Sequence, residues 1–195
     1  MCRVFFGFEE DRLTLSNWEK LYDDAAKKMA QPDWEEQVLR ISNLEQIFLT
    51  NNFDEPLTGF DTQRYIPCLR TDDLVFHLTK PETRTRLAKA TGIELSGAAS
   101  LKEAIGKLFE HFVSHNAKAC AISLPPDFEP IRIDASAADP ILRAVSVGKE
   151  LSADESRTLS RFVFWTLAEH CADHKLPFDL MIVAASSASS TKSIS

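Results

Sequence analysis

The sequence predicts a parallel α/β domain with about four strands and flanking helices, which is either half of an eight-stranded (β/α) barrel or a small open sheet. Three observations lead there. The strand-like stretches, such as Ala119–Leu124, are continuous apolar runs, the pattern of strands covered on both faces. Helical patterns stand between them, as crossover connections require. The apolar run Tyr65–Leu69 ends abruptly in Arg70, Asp72 and Asp73, as a strand does when its carboxyl end delivers charge to a ligand site.

The bulk numbers agree with one domain. The chain has 195 residues, 44% hydrophobic and 26% charged, which is enough for a real core in a soluble protein. The net charge of −7, with no basic block, argues against nucleic acid as a partner. No apolar run approaches the ~20 residues needed to span a membrane. The N-terminus turns acidic at Glu9, Glu10 and Asp11, too soon for a signal peptide, so a cytoplasmic protein is expected. Glycine is scarce, at six residues, and neither a P-loop nor a Gly-x-Gly-x-x-Gly is present. Cys2, Cys68, Cys120 and Cys171 are widely spaced without a Cys-x-x-Cys, which predicts free thiols.

Taken in order, Val4–Phe8 is apolar and aromatic but has no partner signal. Ser16 or Asn17 caps a helix that carries Trp18, Leu21, Tyr22 and Ala25 at helical spacing. Pro32 and Asp33 open a second, to about Leu39. Gln46–Thr50 is the first strand, and Asn51 and Asn52 follow it as polar end residues. Asp54, Pro56, Thr58 and Gly59 make a loop. Arg64–Leu69 is the second strand, joined to the first by a link of about 15 residues, too short for a full crossover helix. Leu74–Leu78 is either helix or loop. Pro81 starts a helix that stops at Gly92. Ser100 with Glu103 forms a capping box before an amphipathic stripe of Leu101, Ile105, Leu108, Phe109, Phe112 and Val113. Ala119–Leu124 is the third strand. Four prolines and several acids over 125–140 predict a long loop. Ser152 with Glu155 is a second capping box, opening a long helix to about His174 with Leu159, Phe162, Val163, Thr166 and Leu167 on its inner face. Phe178–Ala184 is the fourth strand. Residues 1–184 thus read as one domain, and 185–195 as a disordered Ser/Ala-rich tail.

Arg70, with Asp72 and Asp73, is the leading site candidate, because one guanidinium at a strand mouth suits a carboxylate or phosphate. The alternative is a surface ion pair at a strand end. His111 and His115, and His170 and His174, are four apart and could each clamp a metal, but no His-Glu-x-x-His is present and helix-surface positions explain them as well. Ser123 lacks the Gly-x-Ser-x-Gly elbow of a nucleophile. Asn51, Asn52 and Asp54 line a pocket or simply make a turn. No nucleophile has its base, and no metal set sits on strand ends.

Four blocks nevertheless stand in a telling order: Ile47–Pro56 (Ile-Phe-Leu-Thr-Asn-Asn-Phe-Asp-Glu-Pro), Tyr65–Leu74 (Tyr-Ile-Pro-Cys-Leu-Arg-Thr-Asp-Asp-Leu), Ala119–Phe128 (Ala-Cys-Ala-Ile-Ser-Leu-Pro-Pro-Asp-Phe) and Leu176–Ile182 (Leu-Pro-Phe-Asp-Leu-Met-Ile). Over roughly residues 40–183 the chain resembles an internal part of the uronate (glucuronate) isomerase family of the amidohydrolase superfamily. The resemblance implies a partial TIM (β/α)8 barrel and a uronate sugar acid as ligand. The family interconverts an aldouronate such as D-glucuronate and its ketouronate, D-fructuronate, moving a proton between C2 and C1. The Leu-Arg-x-Asp block makes Arg70 the substrate-binding arginine by resemblance.

The chain also departs from that pattern. Family members carry a His-x-His on the first barrel strand for a divalent metal, often zinc, whereas the first histidine here is His77. A further family Asp lies on the last strand, well beyond the block that ends this chain. The resemblance therefore implies a fragment that binds no metal or cofactor of its own, is inactive alone, and needs an oligomer or a complementing chain; a frameshift or premature stop is one origin for it. The alternative is a free-standing α/β module that binds sugar acids without turning them over.

Overall fold

Two stretches of the chain form separate compact units, one up to residue 47 and one from residue 48 onward. The computed structural model describes residues 2–182; the predicted tail and the last two residues of the fourth predicted strand lie outside the described residues.

The first unit holds three helices, α1 (Cys2–Phe6), α2 (Trp18–Met29) and α3 (Trp34–Ser42). The unplaced aromatic run is thus a short helix, and its partner is Trp34. The Phe6 ring stacks on that indole at 5.6 Å and Phe5 meets it edge-on at 6.2 Å, the two geometries that aromatic pairs favour. Lys28 Nζ ties α2 to α1 by donating to the Phe5 carbonyl at 2.6 Å. Asn17, one of the two expected residues, is the N-cap of α2, but its side chain makes no capping hydrogen bond. Its Oδ1 instead accepts from the Thr14 N–H at 2.8 Å, which stiffens the turn before the helix.

The strands are β1 (Ile47–Phe48), at the boundary of the two units, and then β2 (Asn51–Asn52), β3 (Tyr65–Ile66), β4 (Cys68–Arg70), β5 (Ala119–Leu124) and β6 (Phe178–Ile182) in the second. The helices are α4 (Asp72–Phe76), α5 (Pro81–Thr91), α6 (Ala98–Ser114), α7 (Ala135–Ser146) and α8 (Ala153–Asp173). The main sheet has the order β2-β4-β5-β6, every pair parallel. Its register sets Asn52 beside Arg70, Arg70 beside Ala121, and Ala121 beside Asp179. The link from β2 to β3 is loop, as expected; α4 to α6 connect β4 to β5, and α7 and α8 connect β5 to β6. The architecture is a partial (β/α)8 barrel, and among the described residues its sheet does not close.

Both early strands differ from expectation in the same way. Ile47–Phe48 is not in the main sheet; it pairs with Tyr65–Ile66, and Leu49 N–H donates to the Ile66 carbonyl at 2.9 Å. The sheet's own first strand is Asn51–Asn52. Two asparagines can occupy it because Glu55 meets their donors: its carboxylate accepts from Asn51 Nδ2 and from Asn52 N–H, each at 2.8 Å, while Asn51 Oδ1 stays buried without a partner among the described residues. Pro67, which has no N–H for a ladder, divides the second predicted strand into β3 and β4.

One face of the sheet is packed. Leu69, Cys120, Ile122 and Leu124 point at the helices and join the core built by Leu101, Ile105, Leu108, Phe109 and Phe112 of α6 and Leu159, Phe162, Val163 and Leu167 of α8. The predicted stripe on α6 is buried except at its last member, Val113. The opposite face carries Cys68, Arg70, Ala119, Ala121, Ser123, Asp179 and Met181, since neighbours along a strand alternate.

Helix ends follow the chemistry with two corrections. Gly92 ends α5 with φ 73°, a backbone that a side chain would strain, and Ser152 with Glu155 forms the expected box on α8. Ser100, however, is the third residue of α6 and not its cap. The helix starts at Ala98, where the Asp139 carboxylate accepts the first N–H at 2.8 Å, and Ser100 Oγ accepts from Gly97 N–H at 3.1 Å. The loop predicted over 125–140 ends at Asp134, and α7 runs through Pro140. Its buried Ala138, Leu142 and Val145 recur at i, i+4, i+7, so apolar packing outweighs the one hydrogen bond that the proline removes. No described helix is long and apolar enough to cross a membrane. Cys68, Cys120 and Cys171 are free and buried, and Cys2 is free and half-buried.

Candidate functional site

Arg70 stands at the carboxyl end of β4 on the unpacked face. The turn that follows it is fixed: Thr71 is fully buried, and both its N–H and its Oγ1 donate to the Ala121 carbonyl at 3.0 Å. Arg70 Nε donates to Asp72 Oδ2 at 3.2 Å, while Asp72 Oδ1 accepts from the Ser123 N–H at 3.3 Å. The guanidinium is therefore held along one edge from β4 and β5 together. Its side chain is 46% exposed, and among the described residues its two Nη groups make no hydrogen bond. An exposed guanidinium with an ordered Nε and free Nη donors is arranged to take a carboxylate.

Asp73, one residue further on, belongs to a different assembly. Arg86, from α5, grips Asp54 through both carboxylate oxygens, at 2.8 and 2.6 Å, and reaches Asp73 Oδ2 at 2.7 Å. Its guanidinium carbon lies 4.6 Å from the centre of the Phe53 ring. Asp73 Oδ1 also meets His77 Nδ1 at 3.0 Å. The Arg86 hydrogen bond holds the Asp54 carboxyl below the usual carboxylate range; for Asp73 the bond to His77 does most, with Arg86 second. The two carboxylates in turn push the Arg86 guanidinium up. With three charge-assisted bonds made, Arg86 fastens the segment after β2 and the start of α4 to α5. Sequence reasoning missed it. The available signal was that Asp54 and Asp73 both follow strands and two such carboxylates need a cation between them.

The remaining candidates do not gather at Arg70. His111, on α6, and His115, just past its end, have ring centres 4.5 Å apart, and His170 and His174 each stack on Phe109 at 5.4 Å, on the helical side of the sheet. Burial pushes His170 down. Ser123 contributes its backbone N–H to Asp72, and no base attends its hydroxyl among the described residues. Asn51 is buried in the turn with Glu55, and Asn52 is exposed beside Arg70. Burial pushes the Cys68 thiol up to about 11, and the nearby Asp179 charge adds to that. Such a thiol stays protonated and unreactive near neutrality. Among the described residues no three His, Cys, Asp or Glu side chains come together to hold a metal ion.

Comparison with known proteins gives the same architecture. No protein-family model matches the chain, and no curated protein matches it in sequence. Among solved structures it is similar to glucuronate isomerase from Caulobacter crescentus, with a TM-score of 0.77 and 18% identity, over 92% of this chain and 40% of that one. It is similar to uronate isomerase from Thermotoga maritima, with a TM-score of 0.76 and 17% identity, over 91% of this chain and 41% of that one. The chain spans about two fifths of the length of these structures. At such identity the likeness is one of fold, and in fold this chain resembles a part of the uronate isomerases.

Proposed function

We propose that this chain is part of a uronate isomerase-like enzyme and that Arg70 binds the carboxylate of an open-chain uronate, D-glucuronate or D-fructuronate. The observation that carries the reading is Arg70 itself: a fixed guanidinium with free Nη donors at a strand end, in a fold shared with uronate isomerases. A bidentate pair orients a carboxylate as well as binding it, which suits an isomerisation at the far end of the same sugar. The chain is inactive alone in this reading, because the carboxylate beside Arg70 among the described residues, Asp72, is already engaged by the guanidinium and by the Ser123 N–H. The missing groups belong to an oligomer or a complementing chain.

A second reading has its own support. Residues from 48 onward enclose large, fully buried side chains such as Phe53, Phe109 and Phe112, a core that suits a module able to bind sugar acids without turnover. Calorimetric titration with D-glucuronate tests both. Wild type is expected to bind and Arg70→Ala to lose at least tenfold in affinity, about 1.4 kcal/mol. Equal affinity in the two proteins sinks the Arg70 assignment. Conversion of glucuronate to fructuronate by the purified chain contradicts the inactive fragment, and a stable monomer that binds without turnover favours the module.

A further inference from the structure

We infer that Asp179 makes the Arg70 site selective for hydroxy acids with a single carboxylate, by accepting a hydroxyl at the end of the ligand remote from the guanidinium. The inference rests on the reading of Arg70 as a carboxylate clamp. Its own ground is the register of the sheet. Arg70 pairs with Ala121 and Ala121 with Asp179, so the three side chains leave the same face in one row. Two strand spacings put the Arg70 and Asp179 Cα atoms about 10 Å apart. Between them stands only the Ala121 methyl, and Ala119 and Ser123 are its neighbours on that face of β5. Ala121 is itself buried, while Arg70 and Asp179 are exposed on either side of it, so a ligand that meets both lies over β5 rather than in a cavity.

Asp179 is available for that task. It is exposed, and among the described residues it makes no hydrogen bond or ion pair. Its charge is felt on the same face, at the thiol of Cys68 two residues before Arg70. An ionised carboxylate can only accept hydrogen bonds, so it welcomes a hydroxyl and repels a second carboxylate. Asp72 already pairs with Arg70, so Asp179 adds a second negative charge to the row, which admits one carboxylate at the guanidinium and opposes another.

The experiment is a calorimetric titration of the 195-residue chain with D-glucuronate and with D-glucarate, the same carbon chain bearing a carboxylate at each end. Wild type is expected to prefer glucuronate. Asp179→Asn keeps the shape and removes the charge, and is expected to narrow that preference by about tenfold. Asp179→Ala removes the acceptor as well, and is expected to lose glucuronate affinity while glucarate affinity holds or rises. An unchanged preference in both variants, with Arg70→Ala still abolishing binding, overturns the role of Asp179 and leaves the Arg70 clamp intact. Absence of binding of either acid to wild type overturns the clamp and this inference together.

Discussion

Two arginines meet the strand ends, and only one was legible in the sequence. Arg70 announces itself because it ends an apolar run. Arg86 sits in a charged helical stretch, where nothing local distinguishes it from Arg84; its partners Asp54 and Asp73 are 32 and 13 residues away. The division of labour between the two is electrostatic. Arg86 is saturated by carboxylates and Arg70 is held by one, so they should respond differently to substitution. Arg86→Ala is expected to cost about 1–2 kcal/mol at pH 7, towards the lower end for charge-assisted bonds because all three side chains are about one-third exposed. The pH dependence has a definite sign. Asp54 and Asp73 titrate lower in the folded state than in the unfolded chain, where Asp sits near ~3.9. Their contribution is complete above the unfolded value and disappears as pH falls through the depressed folded values. Urea unfolding of wild type and Arg86→Ala should therefore differ most at neutral pH and converge below about pH 4. A gap that stays constant down to acid pH removes the network as its cause.

At the scale of elements, periodicity served well and punctuation less so. The stripes on α6 and α8, the strand Ala119–Leu124 and the stop at Gly92 were readable because burial and backbone geometry act locally. The main sheet's first strand was not, because its asparagines are tolerated only through Glu55, four and three residues later. Pro140 read as loop because sequence composition does not reveal that Ala138, Leu142 and Val145 pack on one side of α7. Ser152 offers a clean test of the part that was read correctly. Its Oγ accepts the Glu155 N–H at 3.2 Å and the Glu155 carboxylate answers at the Ser152 N–H at 2.8 Å. Ser152→Ala removes one half of that exchange at the head of a 21-residue helix whose inner face is core. The expected loss is about 1 kcal/mol, which lowers the melting temperature by about 2–4 °C for a chain of this size. Calorimetric melting checks it; a variant that melts with wild type shows that the box adds nothing to α8.

At the scale of the whole molecule, the four-stranded sheet confronts a problem that a closed barrel does not have. Closure pairs every strand on both sides, whereas an open parallel sheet leaves two rows of backbone donors and acceptors for other chains to add to. Here the β2 edge is only two residues long, but β6 presents five, and among the described residues nothing pairs with its outer side. Its last three residues are apolar and exposed: Leu180 at 44%, Met181 at 39% and Ile182 at 70%. Backbone hydrogen bonding and apolar burial both favour a further strand at that edge, and nothing charged on these three residues opposes it. The chain is therefore expected to self-associate with rising concentration when it is alone. Ile182→Lys places a charge at the most exposed of the three positions, where little packing is lost, and should shift sedimentation toward monomer while leaving the melting temperature nearly unchanged. A wild-type chain that sediments as a monomer at every concentration means that this edge is protected. The same experiment bears on how the chain relates to the uronate isomerases it resembles over two fifths of their length. If association follows the β6 edge, the exposed strand is acting as a template for the strands that a full barrel supplies. If the chain is monomeric and binds uronates, the partial barrel is sufficient as a fold, and the module becomes the better account of what Arg70 is for.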